Sequence, residues 1–128
     1  MIIADDLENE VVSTLALNKL RGTFNVVATK APGFGDNQKD QLQDIAIVAG
    51  ATFFSKDLNM ELKDLSLNDL GTVKRLVVTK DNTTMIGGAG SKQEVEARVK
   101  EIEAQMEVTN SEYDKKRMNE RLGKLSNG

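Results

Sequence analysis

The chain has 128 residues, of which 39% are apolar and 29% are charged, and its formal net charge is -3. These values are typical of one soluble globular domain or part of one. The absence of Cys and His excludes disulfides, thiol chemistry, zinc fingers and imidazole acid–base catalysis. The acidic balance disfavours nucleic acid and anionic membranes as partners, and the apolar runs are too short to span a bilayer.

The first residues predict a strand, a helix and a second strand. Residues 1–4 are apolar and favour a strand, and acidic residues then precede a helix predicted over 7–21. Gly22 is suited to the left-handed conformation that follows a helix. The β-branched run at 24–29 predicts a buried strand.

A shaped loop and a second helix follow. Residues 30–35 hold the only Pro of the chain and two Gly, which indicates a tight loop. Asp36 is placed to begin a helix that continues to about residue 48 and ends at Gly50. Residues 52–54 predict a short strand.

The middle of the chain predicts a turn and a hairpin. Ser66 and Asp69 have the spacing that opens one helical turn. Residues 73–80 and 83–86 are β-branched runs on either side of an Asp-Asn pair, which favours a β-hairpin.

Two helices are predicted after residue 90. Ser91 and Glu94 have the spacing of a capping box, and Asn110 or Ser111 is placed to cap the second helix. The apolar residues recur at helical spacing and define the inner faces: Val95, Val99, Ile102 and Met106 in the first helix, and Met118, Leu122 and Leu125 in the second. The first helix is mainly acidic and the second mainly basic, which favours an antiparallel αα-hairpin with solvated charged faces.

The loop at Gly33–Gly35 lies where a dinucleotide fingerprint would lie, between a strand and a helix. It lacks the third glycine, because Gln38 occupies that position, and no Walker lysine follows. A small α/β anion- or nucleotide-binding domain that uses this loop is the alternative function.

Catalysis is not expected from this composition. Without Cys or His, a metal site would need carboxylates alone, such as Asp5 with Asp6 or Asp40 with Asp44 binding Mg²⁺. Acidic pairs on helices are usually solvated, and no base of suitable pKa is present to activate a nucleophile. We therefore expect no catalytic, cofactor or metal site.

The helix predicted over residues 7–21 is apolar over an unusually wide arc. On a helical wheel, its apolar residues sweep about 240°, whereas contact with one core needs little more than about 100°. Either the helix is buried nearly all round, or part of the arc binds a partner.

Motifs in a fixed order along the chain resemble one family. They are KAPGFGD at 30–36, LQDIA at 42–46, VTKDNTT at 78–84 and ERLGKLSNG at 120–128. Together they resemble the apical domain of group I chaperonins of the GroEL type, and the resemblance covers essentially the whole chain.

The resemblance implies an α/β fold: an apical-domain-like mixed sheet flanked by helices, with a C-terminal antiparallel αα-hairpin. Residues 1–90 would be the C-terminal part of the polypeptide-binding apical domain, and residues 91–128 a helical hairpin leading toward the intermediate domain. The family's equatorial ATPase domain and ATP-binding loop are not matched here. ATP and Mg²⁺ are therefore expected in the parent and not in this segment.

The resemblance also implies a binding site for non-native polypeptides and for the mobile loop of a co-chaperonin. In the family this site is a groove between two helices, and the second helix corresponds to residues 10–21. Its groove-facing positions are Val12, Ala16 and Leu17, with Asn18 beside them, and the other helix is expected before Met1. The parent is expected to form homo-oligomeric rings that assist ATP-dependent folding, in a bacterial cytoplasm or in an organelle matrix or stroma.

Overall fold

A computed structural model describes residues 1–127, so Gly128, the last residue of the predicted hairpin segment, lies outside the described residues. The described residues form a mixed α/β fold, which confirms the predicted class. The helices are α1 (Asn9–Leu20), α2 (Gly35–Ala49), α3 (Lys92–Val108) and α4 (Glu112–Asn127). The strands are β1 (Ile2–Ala4), β2 (Ala28–Lys30), β3 (Val73–Val78) and β4 (Thr83–Gly88). The chain divides into two compact units, Met1–Leu42 and Gln43–Gly128.

In the first unit, β1 and β2 form a two-stranded parallel sheet in which Ile2 pairs with Ala28. The prediction of a buried strand over 24–29 is wrong in its extent, because only its last two residues belong to β2 and these are partly exposed. The strand β1 has only three residues, so it can form hydrogen bonds with only a short partner strand. The preceding Val26 is nevertheless buried.

Helix α1 begins two residues later than predicted and ends one residue earlier, at Leu20. The side chains of Asp5 and Asp6 each accept the backbone N–H of the next residue, at 2.9 Å, and so favour a non-helical chain. At the other end, Gly22 has a φ of 72° and donates its N–H to the Lys19 carbonyl at 3.0 Å. This left-handed glycine ends the helix in a Schellman motif.

In the second unit, the C-terminal end of α2 is fully hydrogen-bonded. Each of its last carbonyls accepts a backbone N–H: Ala46 from Ala51 at 2.8 Å, Ile47 from Gly50 at 3.4 Å, Val48 from Gly90 at 2.9 Å and Ala49 from Thr72 at 2.9 Å. Gly71, Gly88 and Gly90 approach this end so closely that a Cβ at any of them would collide with the helix backbone. Glycine is therefore required at these positions for packing.

Residues 52–54 are irregular, so the short strand predicted there is wrong. The backbone N–H of Thr52 donates to the Asp69 carbonyl at 2.8 Å, and its hydroxyl donates to the Asp69 carboxylate at 2.9 Å. These bonds tie the segment to a turn instead of a strand. That turn, Leu67–Asp69, is a single 3₁₀ turn, and the Ser66 N–H donates to the Asp69 carboxylate at 2.9 Å, as the spacing predicted.

Strands β3 and β4 form the predicted antiparallel hairpin, with Leu76 opposite Met85. The Thr79 N–H donates to the Asn82 carbonyl at 2.8 Å across the turn.

Helices α3 and α4 contact each other. The Ser91 hydroxyl accepts the Glu94 N–H at 3.0 Å, and the Ser111 hydroxyl accepts the Asp114 N–H at 3.2 Å, so both predicted caps are present. Ile102 is completely buried, as the periodicity predicted. None of the helices in residues 1–127 is both long and apolar enough to span a membrane.

Candidate functional site

Helix α1 exposes its apolar residues. Every one of its residues is at least partly exposed, with 48% of Val12 and 47% of Leu17 accessible. Ala16 is exposed as well. Apolar side chains that lie together on a surface usually mark a binding surface, because single exposed leucines are common but clusters are not.

The predicted apolar residues do not all face the same way. Val12 and Ala16, one turn apart, line an open hollow of about 280 Å³ in the first unit. Its lining is mostly apolar: Leu7, Val12, Leu15, Ala16, Lys19, Val26, Val27 and Ala28. Leu17 lies outside the hollow, on another side of the helix. The structure therefore brings two of the three predicted residues together and separates the third.

Asn18 has a structural role that the sequence did not reveal. Its side-chain amide donates to the Thr14 carbonyl at 2.8 Å, and its amide oxygen accepts from the Thr23 hydroxyl at 3.2 Å. It is only partly exposed. These bonds hold the end of α1 and the residues that follow it.

The most exposed large apolar side chain of α1 is Leu20, which is 86% accessible. It belongs to the predicted apolar arc but was not among the predicted binding residues. On the helical wheel it lies between Ala16 and Leu17, on an arc that runs from the hollow side at Val12 to the separate side at Leu17 and that Ser13 interrupts. We call the set Val12, Ala16, Leu17 and Leu20 the α1 strip.

The loop at Gly33–Gly35 is partly filled by side chains. A Cβ at Gly33 would lie 2.8 Å from the Gln41 amide nitrogen and 2.9 Å from that of Asn37. The Gly33 carbonyl accepts from the Gln38 side chain at 3.2 Å. Side-chain amides of α2 therefore lie against this loop, and one of them donates to its backbone.

Asp44 forms the centre of a buried charged cluster in the second unit. Its carboxylate accepts from Arg98 Nε at 2.7 Å, from Arg121 Nε at 2.7 Å and from Arg121 Nη2 at 3.1 Å. The side chains are 9% exposed for Asp44, 6% for Arg98 and 5% for Arg121. We call these three residues the Asp44 cluster.

The Asp44 cluster corrects two expectations. The basic face of the last helix was expected to be solvated, but Arg121 on it is buried. The acidic pair Asp40 and Asp44 was also expected to be solvated, but Asp44 is buried and both of its carboxylate oxygens accept from guanidinium groups. Within residues 1–127, no group of three or more metal-ligating side chains could hold an ion. One signal was present: Arg98 lies three residues after Val95 and four before Ile102, on the predicted inner face.

Comparison with known proteins shows what the chain is similar to. A protein of Acholeplasma laidlawii (strain PG-8A) described as "Chaperonin GroEL" is 66% identical over 128 residues, which is 100% of this chain. No protein-family model matches. Over its whole length the chain is therefore similar to a segment of a GroEL-type chaperonin, as the motifs predicted, and it spans 24% of the length of that relative.

Proposed function

We propose that this chain is a polypeptide-binding segment of a chaperonin and that it binds non-native chains through the α1 strip. The observation that carries the proposal is that α1 has no buried residue although half of it is apolar. The strip provides aliphatic contacts without directional hydrogen bonds, which suits a binder of many different sequences.

Each contact with this surface is weak. Removing apolar area from water contributes roughly 25 cal/mol per Å², and part of that is offset by ordering the bound chain. One strip therefore gives low affinity and broad specificity. In a ring of several copies, many weak sites acting on one polypeptide would give tight binding through avidity.

The wider setting is also part of the proposal. We propose that the parent forms homo-oligomeric rings, uses ATP and Mg²⁺ outside this segment, and hands its substrate over to a co-chaperonin whose mobile loop competes for the α1 strip. Residues 1–90 would belong to the apical domain and residues 91–128 to its connection with the intermediate domain. The expected location of the parent is a bacterial cytoplasm, or an organelle matrix or stroma.

The test is a fluorescence anisotropy titration of a labelled co-chaperonin mobile-loop peptide with this chain and two variants. Leu17→Ser removes an apolar side chain from the strip, and we expect it to weaken binding at least tenfold. Leu67→Ser is the matched control, because Leu67 is 85% exposed but belongs to the other compact unit. The control is expected to bind like the unchanged chain.

Equal weakening by both variants would contradict the proposed site. Absence of saturable binding by the unchanged chain would contradict independent activity of this segment and show that it needs a second surface. Thermal shifts with ATP and NADH test the alternative, because a ligand that binds only the folded state raises the melting temperature. Stabilisation lost on Gly33→Ala would favour the anion-binding loop over the α1 strip.

A further inference from the structure

The Asp44 cluster joins three helices through one carboxylate. Asp44 belongs to α2, Arg98 to α3 and Arg121 to α4, and the side chains that meet are separated by 54 and 77 residues in sequence. The Asp44 side chain thus links three helices that are far apart in the sequence.

The charges of the cluster are not balanced within it. Two guanidinium groups face one carboxylate, and the remaining positive charge is met at the edge by Glu101, whose carboxylate accepts from Arg98 Nη1 at 3.3 Å and is 55% exposed. Every buried side-chain N and O atom among the described residues has a hydrogen-bond partner. The arrangement is therefore saturated, and a shift of α3 or α4 would leave a charge buried without its partner.

Stability alone does not account for such a cluster. Removing charged groups from water costs about as much as their attraction returns, and apolar residues of similar volume often stabilise a fold as well or better. What apolar residues do not supply is direction, because they pack acceptably in several positions, whereas the Arg121 fork meets the carboxylate in one geometry.

We propose that the Asp44 cluster specifies the position of α3 and α4 on α2, as a conformational lock, instead of adding net stability. Its side-on contact with Arg121 sets α4, and its contact with Arg98 Nε sets α3. Loss of the carboxylate frees the helix pair, and apolar replacement of all three residues keeps a folded chain in which the pair takes more than one position.

The first test is hydrogen exchange in an Asp44→Asn variant. We expect amides of α3 and α4 to exchange at least 100-fold faster, with α1 unchanged. Asp36→Asn is the matched control, because Asp36 is an exposed aspartate on the same helix, and its exchange rates should stay within twofold of the unchanged chain. Rates within twofold in Asp44→Asn as well would overturn the proposal.

The second test separates position from stability and does not depend on the first variant folding. The triple variant Asp44→Leu, Arg98→Met, Arg121→Met is expected to melt cooperatively at or above the temperature of the unchanged chain. Because the chain has no Cys, spin labels can be attached to cysteines introduced at the exposed Gln43 and Lys116. Pulsed dipolar spectroscopy should give one narrow distance for the parent and a broad or split distribution for the triple variant. A superimposable narrow distribution, or a triple variant that does not fold, would overturn the proposal.

Discussion

Helix α1 exposes residues of a kind that proteins usually bury, whereas the Asp44 cluster buries residues of a kind that proteins usually expose. On α1, two valines and two leucines are 41–86% exposed, whereas in the second unit an aspartate and two arginines are more than nine-tenths buried. A soluble domain normally buries the first kind of residue and exposes the second. Each inversion carries a cost, so each needs a reason.

The two reasons differ. Exposed aliphatic groups bind partners with little geometric preference, which is useful for unrelated non-native chains. Buried charges interact in one geometry, which is useful for holding helices in place. On the two proposals made above, the molecule would use apolar contact where specificity should be low and charge pairing where position should be unique. The predictions below test this contrast, from the largest expected effect to the smallest.

Removing one buried arginine should have the largest effect. Arg121→Met removes two of the three hydrogen bonds to the buried Asp44 carboxylate and should destabilise the fold by about 3–5 kcal/mol in urea denaturation. Arg117→Met is the control on the same helix, since Arg117 is about 41% exposed, pairs with Glu120 and lies over the Tyr113 ring. Its effect should be much smaller, and equal effects would mean that burial of the cluster has no energetic role.

Truncating a buried aliphatic residue should lower the free energy of unfolding more than truncating an exposed one. Ile102→Ala creates a cavity at a fully buried site and should cost about 2–5 kcal/mol. Leu17→Ala should cost about 1 kcal/mol or less, because nearly half of that side chain already contacts water. Thermal denaturation of both variants decides the point. A large loss for Leu17→Ala would mean that α1 belongs to a core and not to a binding surface.

Glycine substitutions should have opposite signs at two positions. Gly88→Ala places a methyl group against the Val48 carbonyl and should destabilise by about 1–3 kcal/mol. Gly123→Ala meets open space on α4 and should stabilise by about 0.5–1 kcal/mol through helix propensity. Chemical denaturation measures both. Destabilisation by Gly123→Ala would show that the α4 surface is packed more tightly than the structure indicates.

The smallest effect concerns an exposed carboxylate. The Ser66 backbone N–H and then the Thr52 hydroxyl donate to Asp69 and hold its pKa below the ordinary 3.8. The contribution of the ionised Asp69 carboxylate to the stability of the fold is therefore complete above pH 3.8. It is lost as the pH falls through the lower pKa that Asp69 has in the folded chain. An NMR titration of the Asp69 carboxyl carbon should give a midpoint below 3.8. A midpoint at or above 3.8 would contradict these hydrogen bonds in solution.

Local signals predicted much of this fold. Three features depend on residues close in sequence and were predicted: the helix cap at Ser91, the helix end at Gly22 and the hairpin that turns at residues 79–82. The strand predicted at 52–54 is wrong because β-branched and aromatic residues favour a strand only where a neighbouring strand exists, and here Asp69 accepts the Thr52 N–H instead.

The Asp44 cluster was beyond sequence reasoning for a different reason. Charged residues at helical spacing are solvated by default, and only a tertiary contact across 77 residues makes Arg121 an interior residue. The wide apolar arc of α1 is visible in the sequence, but the arc alone left burial on all sides and binding of a partner both open. Its division into a hollow near Val12 and a separate side at Leu17 required the fold.

The most direct test of the central claim is NMR mapping of the binding surface. The ¹⁵N-labelled chain would be titrated with an unlabelled, permanently unfolded polypeptide while amide shifts are followed. We predict saturable shifts in α1 and around the hollow at Val26–Ala28, with α3 and α4 unchanged. Shifts centred on β3, β4 or α4, with α1 silent, would contradict the account.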